Sequence, residues 1–196
     1  MPTVGSGQVA TETREVSGFT RIRFESVGVL NITQTGEESL TVSADDNVLP
    51  YITTRVHGGT LDIGMEGHVT INPKSKIIFT LTVKSLEEID LSGAASIHAT
   101  DINTDTLDVR FSGAGKMELT GSAQTQTVMV SGAGGYEAKD FKTRETRVKI
   151  TGAGYAHVYA DETLDATVTG VGKVTYYGSA EVRPRVTGIG SIKPGR

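Results

Sequence analysis

In this 196-residue sequence, two pairs of acidic residues have the type and spacing that acid–base catalysis could use. Glu88 precedes Asp108 by 20 residues, and Glu118 precedes Glu137 by 19 residues. If segments of that length stack as strands, each pair meets at ~5 Å, close to the ~5–5.5 Å between the carboxyls of a retaining glycosidase. The alternative is a solvated row of charges. We favour the row, because Lys116 stands nearby and a flat surface lacks the cleft that raises a carboxyl pKa.

The histidines and the missing cysteines argue against a metal or cofactor site. His98 and His157 occupy equivalent positions but lie three segments apart, which is about 14 Å at the strand spacing. They cannot share a metal that each would bind at ~2.1 Å. His57 falls at a turn, and we expect the histidines, His68 included, to lie on the surface. The chain has no cysteine, which excludes disulfides and thiolate ligands, and we expect no cofactor.

A short glycine motif recurs six times after residue 90. Each copy begins with Ser or Thr followed by Gly, and five of the six have a second Gly two residues later. A nucleotide-binding loop would need a helix after the glycines, and no copy is followed by a helical pattern. A short, nearly constant period instead indicates a repeat architecture. The first glycines, which we number position 0 of each copy, are Gly93, Gly113, Gly132, Gly152, Gly170 and Gly188.

The residues around each glycine indicate strands. Positions −4, −2, +4 and +6 are apolar in nearly every copy, so a period of two runs through the motif. A unit of about 19 residues is too short for a propeller blade and fits one coil of a parallel β-solenoid. We predict an all-β, right-handed parallel β-helix with about six regular coils of 18–20 residues within 86–196. The small residues at positions 0 and +2 suggest a bend where the interior narrows.

The chain before the repeats is less regular. Residues 1–17 are polar and rich in Gly and Thr, and we predict a flexible N-terminal segment there. We treat 18–196 as a single solenoid domain with an irregular part at 18–90 and regular repeats at 91–196. The irregular part should form further coils or hairpins that cap the solenoid, including a hairpin over 52–63 with Gly-Gly at its turn.

Composition excludes several classes of function. The net charge is −4, which argues against a nucleic-acid partner. No apolar run approaches the roughly 20 residues of a membrane helix. The first residues show no signal peptide, so the chain is either cytosolic or has lost a leader.

Several motifs together resemble a known bacterial family, the "head GIN" domain, which is described as a putative auto-transporter adhesin head. They are GSGQV at 5–9, REVSGF at 14–19, VLNITQTG at 29–36, VHGGTLDI at 56–63 and the serial glycine units. The glycine units depart from the Gly-Ile-Asn that names the domain. The resemblance implies a right-handed parallel β-helix exported to the cell envelope, often as a lipoprotein, with no established catalytic residues.

The function we expect is a non-enzymatic β-solenoid of the cell envelope, acting in adhesion or in ligand or polysaccharide binding. Its partner would be a cell-surface glycan or protein, and its location the periplasm or cell surface, by resemblance. A carbohydrate-active enzyme on a β-helix face is one alternative. A cytosolic scaffold that polymerises end to end is the other, and the oligomeric state stays open.

Overall fold

The structure is a computed structural model that describes residues 2–67 and 69–196, so His68 lies outside the described residues. The chain is nearly all β, and its coils stack into a β-solenoid, which confirms the predicted fold class. A single 3₁₀ turn, Leu49–Tyr51, stands among the strands of the described part. The strands are β1 Thr3–Val4, β2 Val9–Arg14, β3 Arg21–Phe24, β4 Val27–Gln34, β5 Ser39–Asp45, β6 Ile52–His57, β7 Thr60–Met65, β8 Ile71–Asn72, β9 Ile78–Val83, β10 Glu88–Leu91, β11 Ala94–Phe111, β12 Ala114–Val130, β13 Ala133–Glu137, β14 Phe141–Ile150, β15 Ala153–Tyr159, β16 Thr163–Val168, β17 Val171–Tyr177, β18 Glu181–Val186 and β19 Ile189–Pro194.

Each glycine motif is a corner between two strands of one coil. The strand before the corner pairs in parallel with its counterpart in the next coil, as Ile89 does with Val109. The strand after the corner does the same, as Ile97 does with Met117. Because every such partner lies one repeat further along the chain, the six corners enclose five full turns of the solenoid.

The corner is built from one hydrogen-bond pattern that repeats in each coil. The backbone N–H groups of Ser112 and Gly113 both donate to the carbonyl oxygen of Leu91, at 2.9 and 3.0 Å. A Cβ placed on Gly113 would collide with the carbonyl oxygen of Gly93 in the coil below. The small residue is therefore required by close stacking along the solenoid axis. This differs from the narrow interior that the sequence suggested.

Alternate residues fill the interior as the period of two predicts. Positions −4, −2, +4 and +6 are buried in the first four coils of the repeat, and the last coil breaks the pattern, with Val186 42 % exposed. Position +1 points outward and is apolar in every coil. It differs in this from the other outward positions, which are mostly polar. This exposed column consists of Ala94, Ala114, Ala133, Ala153, Val171 and Ile189.

A seventh corner precedes the six that the motif revealed. Strands β3 and β4 pair in parallel with β10 and β11, which places Ser26 at position 0 and Gly28 at position +2 of an earlier coil. The apolar residues around it follow the same period, with Phe24 at −2 and Leu30 at +4. Pattern matching missed this copy because Ser replaces the first Gly and an insertion separates it from Gly93.

That insertion and the first strands close the N-terminal end of the core. Strands β7 and β9 pair in parallel with β3 and β4, and β6 and β5 then add in the antiparallel sense. The predicted hairpin is β6–β7. Residues 1–17, which the sequence predicted to be flexible, include β2, and β2 pairs along its whole length with β5. Ala10 of β2 packs against the core, although the rest of that strand is mostly exposed.

Candidate functional site

The outward residues of the strands that follow the corners form the most distinctive surface. Position +5 carries His98, Glu118, Glu137 and His157 on four consecutive coils, and we call this row the His–Glu ladder. The pairing register puts the two carboxylates next to each other, with a histidine outside each. The repeat spacing predicted that the two acids would be neighbours. It did not predict that a histidine would lie next to each of them.

Each histidine of the ladder contacts the neighbouring carboxylate. His98 Nδ1 lies 2.9 Å from Glu118 Oε2, and His157 Nδ1 lies 3.1 Å from Glu137 Oε2. Lys116 Nζ contacts the other oxygen of Glu118 at 2.5 Å. The side chains are about one-third exposed, so these contacts are open to solvent.

The electrostatics of the ladder hold Glu118 ionised. The hydrogen bond from Lys116, followed by that from His98, lowers the pKa of the Glu118 carboxyl. The same contact raises the pKa of Lys116. A general acid of a glycosidase needs a raised pKa, so the shift at Glu118 runs in the wrong direction for that role.

Three tyrosines extend the ladder face, on the coil of His157 and on the coil after it. Tyr155 stands at position +3, and Tyr159 and Tyr177 stand at position +7. The rings of Tyr155 and Tyr177 lie 5.4 and 6.3 Å from the ring of His157. Tyr159 and Tyr177 would have been found in the sequence by aligning position +7 of the repeats.

Lysines border the tyrosines. Lys142 Nζ lies 3.8 Å above the ring of Tyr159, and Lys139 Nζ lies 5.0 Å from the ring of Tyr177. Burial, followed by the charge of Glu137, raises the pKa of Tyr155, so its hydroxyl stays protonated and able to donate a hydrogen bond. The face thus combines aromatic rings, ionised carboxylates and hydroxyl donors.

A shallow groove of about 460 Å³ runs beside the ladder. Its lining is polar and includes Glu118 and Glu137 together with Lys116, Lys139 and Asp140. The two carboxylates contact lysine and histidine side chains on an open surface, and they can still accept hydrogen bonds from the hydroxyls of a polyol. They lack the enclosed apolar environment that would prepare one of them to donate a proton.

The second acid pair lies on a different face. Glu88 and Asp108 are in register on adjacent coils, as expected, but on the strands that precede the corners. Glu88 is also in register with Arg21 of the coil before it. Further along the same column Arg147 and Asp165 pair at 3.9 Å. This face is a row of mixed charges, and we call it the charged face.

A separate, mostly apolar groove of about 670 Å³ lies near the first corners. Val27, Ala94 and Ala114 contribute apolar surface, and Lys74 and Lys76 lie on the loop that forms its wall. No carboxylate among the described residues lies within 4 Å of either ammonium group.

The buried carboxylate of Asp45 fixes that loop. It accepts hydrogen bonds from the backbone N–H groups of Gly7, Lys74 and Ser75 at 3.1, 2.8 and 3.2 Å. Hydrogen bonding from Ser75 is the largest influence on its pKa, and together with the backbone donors it lowers that pKa despite the opposing effect of burial. The sequence offered no sign of this role.

Residues 2–67 and 69–196 contain neither a metal-binding cluster nor a membrane-spanning helix. No group of three or more His, Asp or Glu residues there is placed to hold one metal ion. No helix in this part of the chain has the length and apolar character that crossing a membrane requires.

Comparisons with solved structures give the same architecture over the full length. A "putative adhesin" from Bacteroides fragilis NCTC 9343 is 25% identical, with a TM-score of 0.82, over 98% of this chain and 99% of that one. A "putative adhesin" from Parabacteroides distasonis ATCC 8503 is 21% identical, with a TM-score of 0.61, over all of both chains. A "putative lipid binding protein" from the same strain is 22% identical, with a TM-score of 0.57, again over all of both chains.

The comparison with family models agrees with the resemblance drawn from the motifs. No curated protein sequence matches the chain. The model described as "Putative auto-transporter adhesin, head GIN domain" matches residues 18–180, from just before β3 to just after β17. The chain therefore belongs to the head GIN domain family.

Proposed function

We propose that this protein is a non-enzymatic binding domain that acts outside the cytoplasm, at the cell envelope, and that its ladder face binds a glycan. The observation that carries the proposal is the pair of adjacent acids, Glu118 and Glu137, beside tyrosine rings on an open surface. A sugar presents hydroxyls that donate to carboxylates and C–H faces that pack on aromatic rings. The adhesin names given to the family and to two structurally similar proteins support a surface-binding role.

The arrangement supports binding over catalysis. Glu118 and Glu137 are each engaged by a cationic or histidine partner, and the pKa of Glu118 is lowered. Both features favour stable ionised acceptors, whereas glycoside hydrolysis needs one carboxyl that keeps its proton.

A glycan array of envelope and host-surface polysaccharides tests the proposal. The double variant Glu118→Gln/Glu137→Gln should lose affinity at least ~10-fold, because each charge-assisted hydrogen bond contributes about 1.5–3 kcal/mol. The matched control is Glu88→Gln/Asp108→Asn, which changes the acid pair on the charged face and should bind as the unmodified protein does. Binding to no glycan, or equal losses in both variants, would contradict a glycan site here. Release of reducing ends from any bound polysaccharide would contradict the non-enzymatic role.

A second candidate ligand is an acyl chain with an anionic head group, bound in the apolar groove. The groove offers apolar side chains along its length, and Lys74 and Lys76 on its wall provide cations with no carboxylate of the described residues within 4 Å. A structural relative bears a lipid-binding name. Displacement of a fluorescent fatty acid by decanoate, but not by decyltrimethylammonium, would support it. Lys74→Glu/Lys76→Glu should abolish that displacement, and unchanged displacement would contradict it.

A further inference from the structure

The coil formed by β18 and β19 differs from the inner coils because, among the described residues, its strands pair on one side only. Among the described residues β18 pairs with β16, and β19 pairs with β17. The inward residues of this coil are partly uncovered, with Val186 42 % exposed. A sheet edge of this kind is a template for another strand, and folded proteins protect such edges.

The hydrogen bonds of β18 show which amides face the open edge. Glu181 N–H donates to Glu162 O and Thr187 N–H donates to Val168 O, both at 2.9 Å and both toward the preceding coil. Successive residues of a strand point their N–H groups to opposite sides. The edge-facing amide positions of β18 are therefore 182, 184 and 186, and Pro184 occupies the middle one.

The same reasoning applies to β19. Ile189 N–H donates to Gly170 O at 2.9 Å and Gly195 N–H donates to Tyr176 O at 2.8 Å, again toward the preceding coil. The edge-facing positions are then 190, 192 and 194, and Pro194 occupies the last. Proline has no N–H to donate, and its ring obstructs an approaching strand.

Equivalent positions in the inner coils never carry proline. The column of Pro184 holds Ala166, and the column of Pro194 holds Tyr176, in the coil directly below. An edge-facing proline in an inner coil would delete a hydrogen bond to the next coil. Both columns carry proline only where the sheet has an open edge.

Charge adds to the effect of the prolines. Arg183 and Arg185 flank Pro184 on the outward side of β18, and Lys193 lies on β19. If two copies met through this edge about a two-fold axis at Pro184, Arg183 of one would face Arg185 of the other. Like charges directly opposite each other destabilise a strand pair.

We infer that Pro184 and Pro194 terminate the sheet and prevent a second copy of this chain from adding its last coil to the β18–β19 edge. This assigns the β18–β19 coil a role in keeping copies apart. It also opposes the end-to-end polymerisation that the sequence had left open.

Light scattering after size exclusion tests the inference over a series of concentrations. The unmodified protein should have the mass of one chain throughout. Pro184→Val/Pro194→Val should shift toward the mass of two copies as concentration rises, with slowed amide exchange at Val186 and Ile192. The control Arg183→Thr/Arg185→Thr keeps both prolines and should stay largely single.

Three results would overturn the inference. One is a folded double variant, by circular dichroism, that stays single at every concentration. Another is association whose amide protection lies away from β18 and β19. The third is an unmodified protein that already pairs through this edge. If the double variant does not fold, Pro194→Val alone carries the test, because position 194 lies at the end of its strand and leaves β18 unchanged.

Discussion

The hydroxyl of Tyr136 donates a hydrogen bond of 2.7 Å to Oε1 of Gln126 in the interior of the solenoid. Both side chains are at most 2 % exposed. Gln126 Nε2 donates in turn to Thr146 at 3.1 Å. The column that holds Gln126 and Thr146 has leucine in the coils on either side, so a short polar network is enclosed between apolar layers. Burial raises the pKa of Tyr136, which keeps this donor protonated.

Gln126→Leu should therefore destabilise the fold although leucine suits the column. It leaves the Tyr136 hydroxyl buried without an acceptor, which costs about 1–3 kcal/mol of the free energy of unfolding. Adding Tyr136→Phe removes the orphaned hydroxyl and should restore most of the loss. Urea unfolding of the two single variants, the double variant and the unmodified protein measures the coupling. Simple additivity of the two single changes would show that the pair is not coupled.

Gly113→Val should be strongly destabilising, by roughly 3 kcal/mol or more, because its side chain would meet the backbone of the coil below. Ala114→Val is the matched control, since it adds similar bulk one residue later on an exposed position. The chain itself has valine there in Val27 and Val171. Melting temperatures of the two variants give the comparison. Equal losses would contradict the stacking explanation.

Ser26→Ala should stabilise the protein by up to ~1 kcal/mol. The Ser26 hydroxyl is buried and finds no hydrogen-bond partner within the described residues. Removing it relieves an unsatisfied polar group without altering the backbone. Ser26→Gly, which matches the other corners, should gain less because glycine loses more chain entropy on folding. Denaturant midpoints that fall for Ser26→Ala would contradict this account of the first corner.

Acid should remove the stabilising contribution of Asp45. Its pKa is lower in the folded chain than in the unfolded one, so the contribution is complete above the unfolded pKa of about 3.9. It is lost as pH falls through the lowered folded value. The stability difference between the unmodified protein and Asp45→Asn should be constant from about pH 7 to 5 and narrow below about pH 4. Unfolding midpoints across that range measure it, and a gap that persists in acid would contradict the assignment.

Local repetition explains what could be predicted from sequence. Gly113 and its five counterparts recur at intervals of 18 to 20 residues, and the alternation around them predicts the strands, the interior and the pairing register. The corner at Ser26 could not be found in that way, because its partner in the register lies across a long insertion. Asp45 and Gln126 are harder still. Asp45 acts through backbone groups 29 to 38 residues away, and Gln126 through side chains 10 and 20 residues away. No local pattern marks a single buried polar side chain.

Some features of the candidate site could likewise be predicted from the repeat, and others could not. Repeat alignment predicted that Glu118 and Glu137 would be neighbours, and the tyrosines at position +7 obey the same alignment. The contacts that set the chemistry, such as Lys116 with Glu118, depend on side-chain direction across and within coils. The apolar groove depends on the loop that carries Lys74, whose position is set by the insertion.

The pairing register also has a consequence for how the chain folds. Ala114 pairs with Ala94, 20 residues earlier, whereas Ala94 pairs with Val27, 67 residues earlier. Closing the longer loop costs about 1 kcal/mol more in chain entropy than closing the shorter one. We therefore expect folding to begin among the regular coils, where each turn needs only its neighbour, and to reach the N-terminal strands later. The segment most prone to misfolding is then the insertion between β4 and β10. Its strands β7 and β9 can pair only after β3 and β4 have formed.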